Sequence, residues 1–355
     1  MVATEQIAGQ VELLLRQRLQ LSGDRYTAVV QLRQHDYRLL DALQLLQYTL
    51  QSDATAESRL APWLAWLATA SVANLFAAEQ LPPLAKPQQV WLLLHELKFR
   101  QQPQRLSALL LQSLAAKQAD SALAWQFAAR QPLPCIKVLQ TQLQAGDAGV
   151  DALFYLGLSG QRQLLPLLLN YIRELDTTTA QYAVAQWAAY LLGQHVDEVA
   201  LVIALQQSGQ LTAVALMLLT IAADSRQAQL INYLAAAHIT QAIAAMAYSG
   251  QLKFVPLLLE LAQQADTAQA AADALTTMLG VLDADDVMAT RQVAAVANSK
   301  GRRTLAGFGI DPEQLAIVWR QGNQQQRQLA ACYQFYQTPG TALQFSDALT
   351  AGAML

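Results

Sequence analysis

The pattern nearest to a catalytic one is Gly157-Leu158-Ser159-Gly160-Gln161. It departs from the Gly-x-Ser-x-Gly nucleophile turn at its fifth position, where Gln161 stands in place of glycine. The Ser-Gly-Gln phrase also recurs, as Ser208-Gly209-Gln210 and Ser249-Gly250-Gln251. A nucleophile is not needed three times, whereas a helix that ends on glycine uses such a phrase at every turn. Metal chemistry fares no better. The four histidines His35, His95, His195 and His238 are scattered, and only His95-Glu96 forms a His-Glu dyad, too little to hold a pair of metal ions. Asp283-Ala284-Asp285-Asp286 lacks the glycine and the closing glutamate of a calcium loop. Cys135 and Cys332 stand far apart, which predicts two buried small hydrophobes and no disulfide framework. Neither a metal nor a cofactor is expected.

One further polar group is dense enough to weigh. His35, Asp36, Arg38 and Asp41 fall within seven positions, as an enzyme site in the first 118 residues would require. They equally suit an exposed helix face with charge pairs three residues apart.

The elements that would position these residues are helical. The chain of 355 residues is 54% hydrophobic and only 14% charged, and Ala, Leu and Gln dominate it, all strong helix formers. The outer Ser-Gly-Gln phrases lead into Pro166-Leu167-Leu168-Leu169 and Pro256-Leu257-Leu258-Leu259, ninety residues apart. Internal copies at such spacing mark repeated helical hairpins that bury their apolar faces only by stacking. The expected fold is all-α: a right-handed α-solenoid over residues 119 to 298. An irregular helical region, residues 1 to 118, precedes it, and a helical cap and tail, residues 299 to 355, follow. Helices are expected over 6–21, 25–52 with a break near Asp36, 59–79, 88–117 interrupted at Pro103, and then in pairs from Val150 to Leu282. Asp176, Asp224 and Asp266 stand where a side-chain oxygen could cap the next helix. Thr338-Pro339-Gly340 predicts a turn before an apolar tail.

Charge narrows the partner. Residues 138–299 carry 13 Asp and Glu against 5 Lys and Arg, a net charge of −8, and a surface of that sign repels a duplex. The basic cluster Lys300-Gly301-Arg302-Arg303 reads as a solvated turn, so nucleic acid is not expected. The apolar runs 61–81 and 213–221 are too short or interrupted to span a bilayer, and the N-terminal residues lack the order of a signal peptide. A cytoplasmic location is expected, with no membrane partner.

Two phrases carry a family resemblance: Ala152-Leu153-Phe154-Tyr155-Leu156-Gly157-Leu158-Ser159-Gly160-Gln161 with Leu165-Pro166-Leu167-Leu168, and Met246-Ala247-Tyr248-Ser249-Gly250-Gln251 with Val255-Pro256-Leu257-Leu258. They resemble the HEAT-like repeats of the phycobilisome-lyase type over the central half of the chain. A more diffuse resemblance rests on His35-Asp36-Tyr37-Arg38-Leu39-Leu40, Gly280-Val281-Leu282-Asp283 and Gln324-Gln325-Gln326-Arg327-Gln328-Leu329-Ala330-Ala331. It points to a bacterial HEAT-repeat family often encoded beside type VI secretion components, and implies an accessory, partner-binding role.

A noncatalytic scaffold for another protein is therefore the leading expectation, ahead of an enzyme with its site in the N-terminal region or at its junction with the repeats. Solenoids recognise partners along one layer of helices. The second helix of each hairpin places Asn170, Tyr171, Arg173 and Glu174 beside Gln227, Asn232 and Tyr233, or beside Glu260 and Gln263.

Overall fold

The computed structural model describes residues 2–23, 27–52, 93–94, 97, 103–115, 121–130, 135–223, 226–280 and 303–344. Among them all regular secondary structure is helical, with isolated bridges pairing Gln251 with Arg303 and Leu305 with Phe308. The chain forms two compact units, one running to Leu156 and the other spanning Gly157–Gln344.

In the first unit, α1 (Val2–Gly23) packs on α2 (Val29–Ser52). The buried positions of α1 are Thr4, Ala8, Val11, Leu15 and Arg18. They alternate four and three residues apart, which keeps one seam facing the partner helix. On α2 the matching seam is Leu32, Asp36, Leu39, Leu43, Leu46 and Leu50. The helix runs unbroken through Asp36, contrary to the expected break. The reason is an ion pair: Arg18 Nε donates to Asp36 Oδ1 at 2.6 Å, with both side chains sealed from water. The unit continues with α3 (Pro103–Ala115), α4 (Ser121–Arg130) and α5 (Ile136–Gln144). The described part of α3 begins at Pro103, and most of the residues before it, where the helix over 88–117 was expected, lie outside the described residues. The helix expected over 59–79 lies outside the described residues.

From Val150 the chain alternates between two kinds of helix. The even ones are α6 (Val150–Leu158), α8 (Ala180–Leu191), α10 (Ala213–Ala222), α12 (Ile239–Ser249) and α14 (Ala268–Leu279). The odd ones are α7 (Leu165–Glu174), α9 (Glu198–Gln207), α11 (Gln227–Ala237) and α13 (Val255–Leu261). Odd helices bury a single stripe, such as Leu230, Ile231 and Leu234 on α11 or Val255, Leu258 and Leu261 on α13, the pattern of a helix with one face in water. Even helices α6, α8, α10 and α12 bury half or more of their residues, and on α10 every residue from Ala215 to Ile221 is buried. Even helices pack on even ones, α12 touching both α10 and α14, while α9 packs on α11. Gly157 of α6 lies so close to Ala188 and Trp187 of α8 that a Cβ there would come within 3.0 Å of the Ala188 Cα.

What seals the even helices on their other side is the C-terminal part of the unit. After residue 303 come α15 (Pro312–Gln321) and α16 (Gln324–Gln337). Helix α16 packs on α15 and α10, and nine of its residues are buried, Gln326, Arg327 and Gln328 among them. Its polar side chains meet the backbone of other even helices. Gln326 Nε2 donates to the Thr276 carbonyl of α14 at 2.8 Å, and the Tyr333 hydroxyl to the Tyr248 carbonyl of α12 at 2.7 Å. An Asn323–Gln326 capping box starts the helix, satisfying two otherwise orphaned N–H donors. The expected turn at Thr338-Pro339-Gly340 is present, closed by Thr341 N donating to the Thr338 carbonyl. Beyond it Leu343 is buried, and its N–H donates to the Leu158 carbonyl at 2.8 Å.

Candidate functional site

The three Ser-Gly-Gln phrases are turns. Gly160, Gly209 and Gly250 all take left-handed backbone, with φ of 67°, 69° and 64°, which glycine adopts without steric cost. Ser159 is buried, and its hydroxyl accepts from Gln161 N at 3.4 Å. Ser249 does the same for Gln251 N at 3.2 Å. The turns are not equivalent, however. Even helices begin at Val150, Ala180, Ala213, Ile239 and Ala268, so a two-helix unit takes roughly thirty residues, the length of short helical repeats. The outer phrases each join an even helix to an odd one, three units apart. The middle phrase joins odd α9 to even α10.

All nine residues of the expected binding belt fall on or just after odd helices. On α7, Asn170, Arg173 and Glu174 are exposed, and the Arg173 guanidinium donates to Asn170 Oδ1 at 3.3 Å. Tyr171 turns inward and is buried. On α11, Asn232 is exposed, and half-buried Tyr233 donates to Gln206 Oε1 of α9 at 3.4 Å. Gln227 is buried: its amide donates to the Thr220 carbonyl at 2.6 Å and accepts from Gln251. It serves as an internal strut between α10, α11 and the third turn. Glu260 on α13 and Gln263 after it are exposed. The exposed faces of α7 and α11 and the end of α13 thus present Asn170, Arg173, Glu174, Asn232, Glu260 and Gln263, with Tyr233 partly accessible.

The even row offers a different feature, which the sequence reading missed. Tyr190 and Leu191 of α8, Leu218 and Ala222 of α10, and Phe335 and Tyr336 of α16 line a cleft of about 330 Å³, with Arg162, Gly160, Gly193, Pro339 and Gly340 completing it. Behind it the Tyr190 hydroxyl donates to Glu198 Oε1 at 3.3 Å, and Arg226 donates to Glu198 Oε2 at 3.2 Å. Burial, then the Glu198 carboxylate, pushes the Tyr190 phenol well above its ordinary range, so it remains a proton donor to that carboxylate. Glu198 opens α9 one residue after its cap, Asp197, whose carboxylate accepts from Val199 N and Ala200 N. The signal for this site lay in Tyr190 and Glu198, eight residues apart, but the inner wall comes from α16, more than a hundred residues on.

The remaining candidates resolve individually. His35 and Asp36 are buried in the α1–α2 seam, while Arg38 and Asp41 point outward, so the four do not converge. Cys135 and Cys332 are buried free thiols, and burial pushes them up to about 11 and about 12. Asp176 does not cap α8. It accepts from Thr178 within its own turn, and Thr179 is the cap, accepting from Tyr182 N. Asp266 likewise gives way to Thr267 as the residue preceding α14. His95, Asp224, the 283–286 cluster and all of the basic loop but Arg303 lie outside the described residues. Among the described residues no three His, Cys, Asp or Glu side chains gather as metal ligands do, and no helix is long and apolar enough to cross a membrane.

The chain matches no family model, no curated protein and no solved structure.

Proposed function

We propose that the chain is a noncatalytic scaffold in which HEAT-like hairpins stack as a right-handed α-solenoid and the odd row binds another protein. The observation that carries this reading is the asymmetry of the two rows. Helices α6, α8, α10 and α12 bury half or more of their residues, with α16 packed on α10, while α7, α11 and α13 keep Asn170, Arg173, Glu174, Asn232 and Glu260 in water. Solenoids use one such layer as an extended recognition surface. A polar surface carrying Glu174 and Glu260 suits a partner with basic or amide-rich segments, since complementary charge sets specificity and encounter rate. The resemblance to the secretion-associated HEAT family makes a component of a bacterial secretion apparatus the natural partner, and a cytoplasmic location the natural place.

The test is capture of the tagged protein from its native host at low salt, followed by mass spectrometry. It is run in parallel on an Asn170→Lys/Glu174→Lys/Glu260→Lys variant shown by circular dichroism to be folded. A dominant protein held by the wild type and lost by the variant supports the reading. A partner that the variant retains places recognition elsewhere and refutes it.

A further inference from the structure

We propose that the cleft between α8, α10 and α16 is a binding site for a small carboxylate carried on an aromatic or bulky apolar body. This site is separate from the odd-row surface and does not depend on it. The cleft's volume of about 330 Å³ lies at the lower end of small-molecule sites, enough for one ring and a short chain. Its lining includes the apolar Leu191, Leu218, Ala222 and Phe335 and two phenol rings, Tyr190 and Tyr336. Ring faces of this kind hold a flat apolar body by offset or edge contacts.

The polar complement selects the charge. Among the described lining residues Arg162 is the one with a formal charge, and it is exposed; a guanidinium beside an apolar cleft favours a carboxylate through charge-assisted hydrogen bonds. The nearby acid does not oppose this. Glu198 is only 8% exposed at its side chain and is held by Arg226 at 3.2 Å, so its charge is balanced before a ligand arrives. The Tyr190 hydroxyl is committed to Glu198, which leaves Tyr336, 49% exposed, as the phenol free to turn toward a ligand oxygen. Such a carboxylate could arrive on a free aromatic acid or as the terminal residue of a peptide.

The experiment uses the full chain and three probes: 3-phenylpropionate, its neutral amide, and a pentapeptide ending in a phenylalanine with a free carboxylate. Saturation-transfer NMR and titration calorimetry read binding. The expected result is binding of the free acid, the peptide or both, and weakening of about tenfold for the amide or for Arg162→Gln, the size of one charge-assisted contact. Ala222→Phe, which puts a large ring into the cleft lining, should abolish binding. Tyr336→Ala, at an exposed position, replaces that variant if it fails to fold and should weaken binding severalfold. Binding of the acid alone assigns the site to a free small molecule, and binding of the peptide alone to a chain terminus. Absence of binding by both carboxylates overturns the proposal. So does an amide that binds as well as the acid, or a folded Ala222→Phe protein that binds as the wild type does.

Discussion

Replacing each turn glycine with alanine separates backbone strain from tertiary docking. Gly160, Gly209 and Gly250 share one conformation, so an added Cβ costs each about 1 kcal/mol for left-handed backbone. Their surroundings differ. A Cβ on Gly209 meets nothing within 4 Å, so its cost should stop there. On Gly250 it would lie 2.8 Å from the Thr304 oxygen and 3.0 Å from the Tyr333 hydroxyl. Relief would loosen two hydrogen bonds, Thr304 N to the Gly250 carbonyl and the Tyr333 hydroxyl to the Tyr248 carbonyl, raising the total to about 3 kcal/mol. On Gly160 it would stand 2.3 Å from the Thr341 carbonyl oxygen, where backbone must yield. Displacing that segment forfeits the Leu343 to Leu158 hydrogen bond and the burial of Leu343, for a total of about 4 kcal/mol. Urea unfolding followed by near-ultraviolet circular dichroism measures all three, and trypsin sensitivity at the buried Arg327 reports whether α16 has loosened. Equal losses within about 0.5 kcal/mol, the usual scatter between independent sites, would refute the claim that the C-terminal segment docks on the outer turns and spares the middle one.

Three further outcomes are expected. Asp36→Ala should cost about 3 to 5 kcal/mol by stranding the buried Arg18 guanidinium, whereas an Arg18→Met/Asp36→Leu double variant should recover much of that loss in thermal unfolding. Burial and the nearby Arg18 hold His35 below its ordinary 6.5, so its neutral form stabilises the fold above pH 6.5 and that stability is lost as pH falls below it. The thermal midpoint should therefore drop between pH 7.5 and pH 5.5, and drop less in His35→Gln. Cys135 and Cys332, raised from 9.0 to about 11 and about 12 by burial, should resist a thiol reagent at pH 8 until urea is added. The stability tied to protonated Cys135 should be lost as pH rises from 9 toward 11.

Local rules account for what the sequence made legible. Leucine and alanine at helical spacing placed the odd and even helices from Val150 onward to within a few residues, and Ser-Gly-Gln marked three turns correctly because glycine there has a backbone reason. The hairpin phase was harder to see. Ser208-Gly209 looks the same in sequence as its neighbours but closes an odd helix, and only the packing of even on even helices reveals the difference. The break expected at Asp36 failed because a distant residue, Arg18, supplies the partner that lets a carboxylate sit inside a helix seam. Tyr171 and Gln227 fall on the expected helices, yet Tyr171 buries its ring and Gln227 ties α10 to the third turn. The cleft was invisible for a related reason: Phe335 and Tyr336 meet Tyr190 only after α16 crosses the even row.

The seating of α16 also sets a schedule for biosynthesis. The face it covers is complete once Leu279 has been made, but the helix that closes it begins at Gln324 and does not reach Tyr333 until more than fifty residues later. At translation rates of about 5 to 20 residues per second, nascent even helices stand uncovered for several seconds. Their apolar side chains, Leu216 through Ile221 on α10 among them, must wait in solvent or in the care of a chaperone. A ribosome paused between those points would hold out a chain whose uncovered face sticks to its neighbours, so slow codons ahead of Gln324 should lower the soluble yield without changing a single residue.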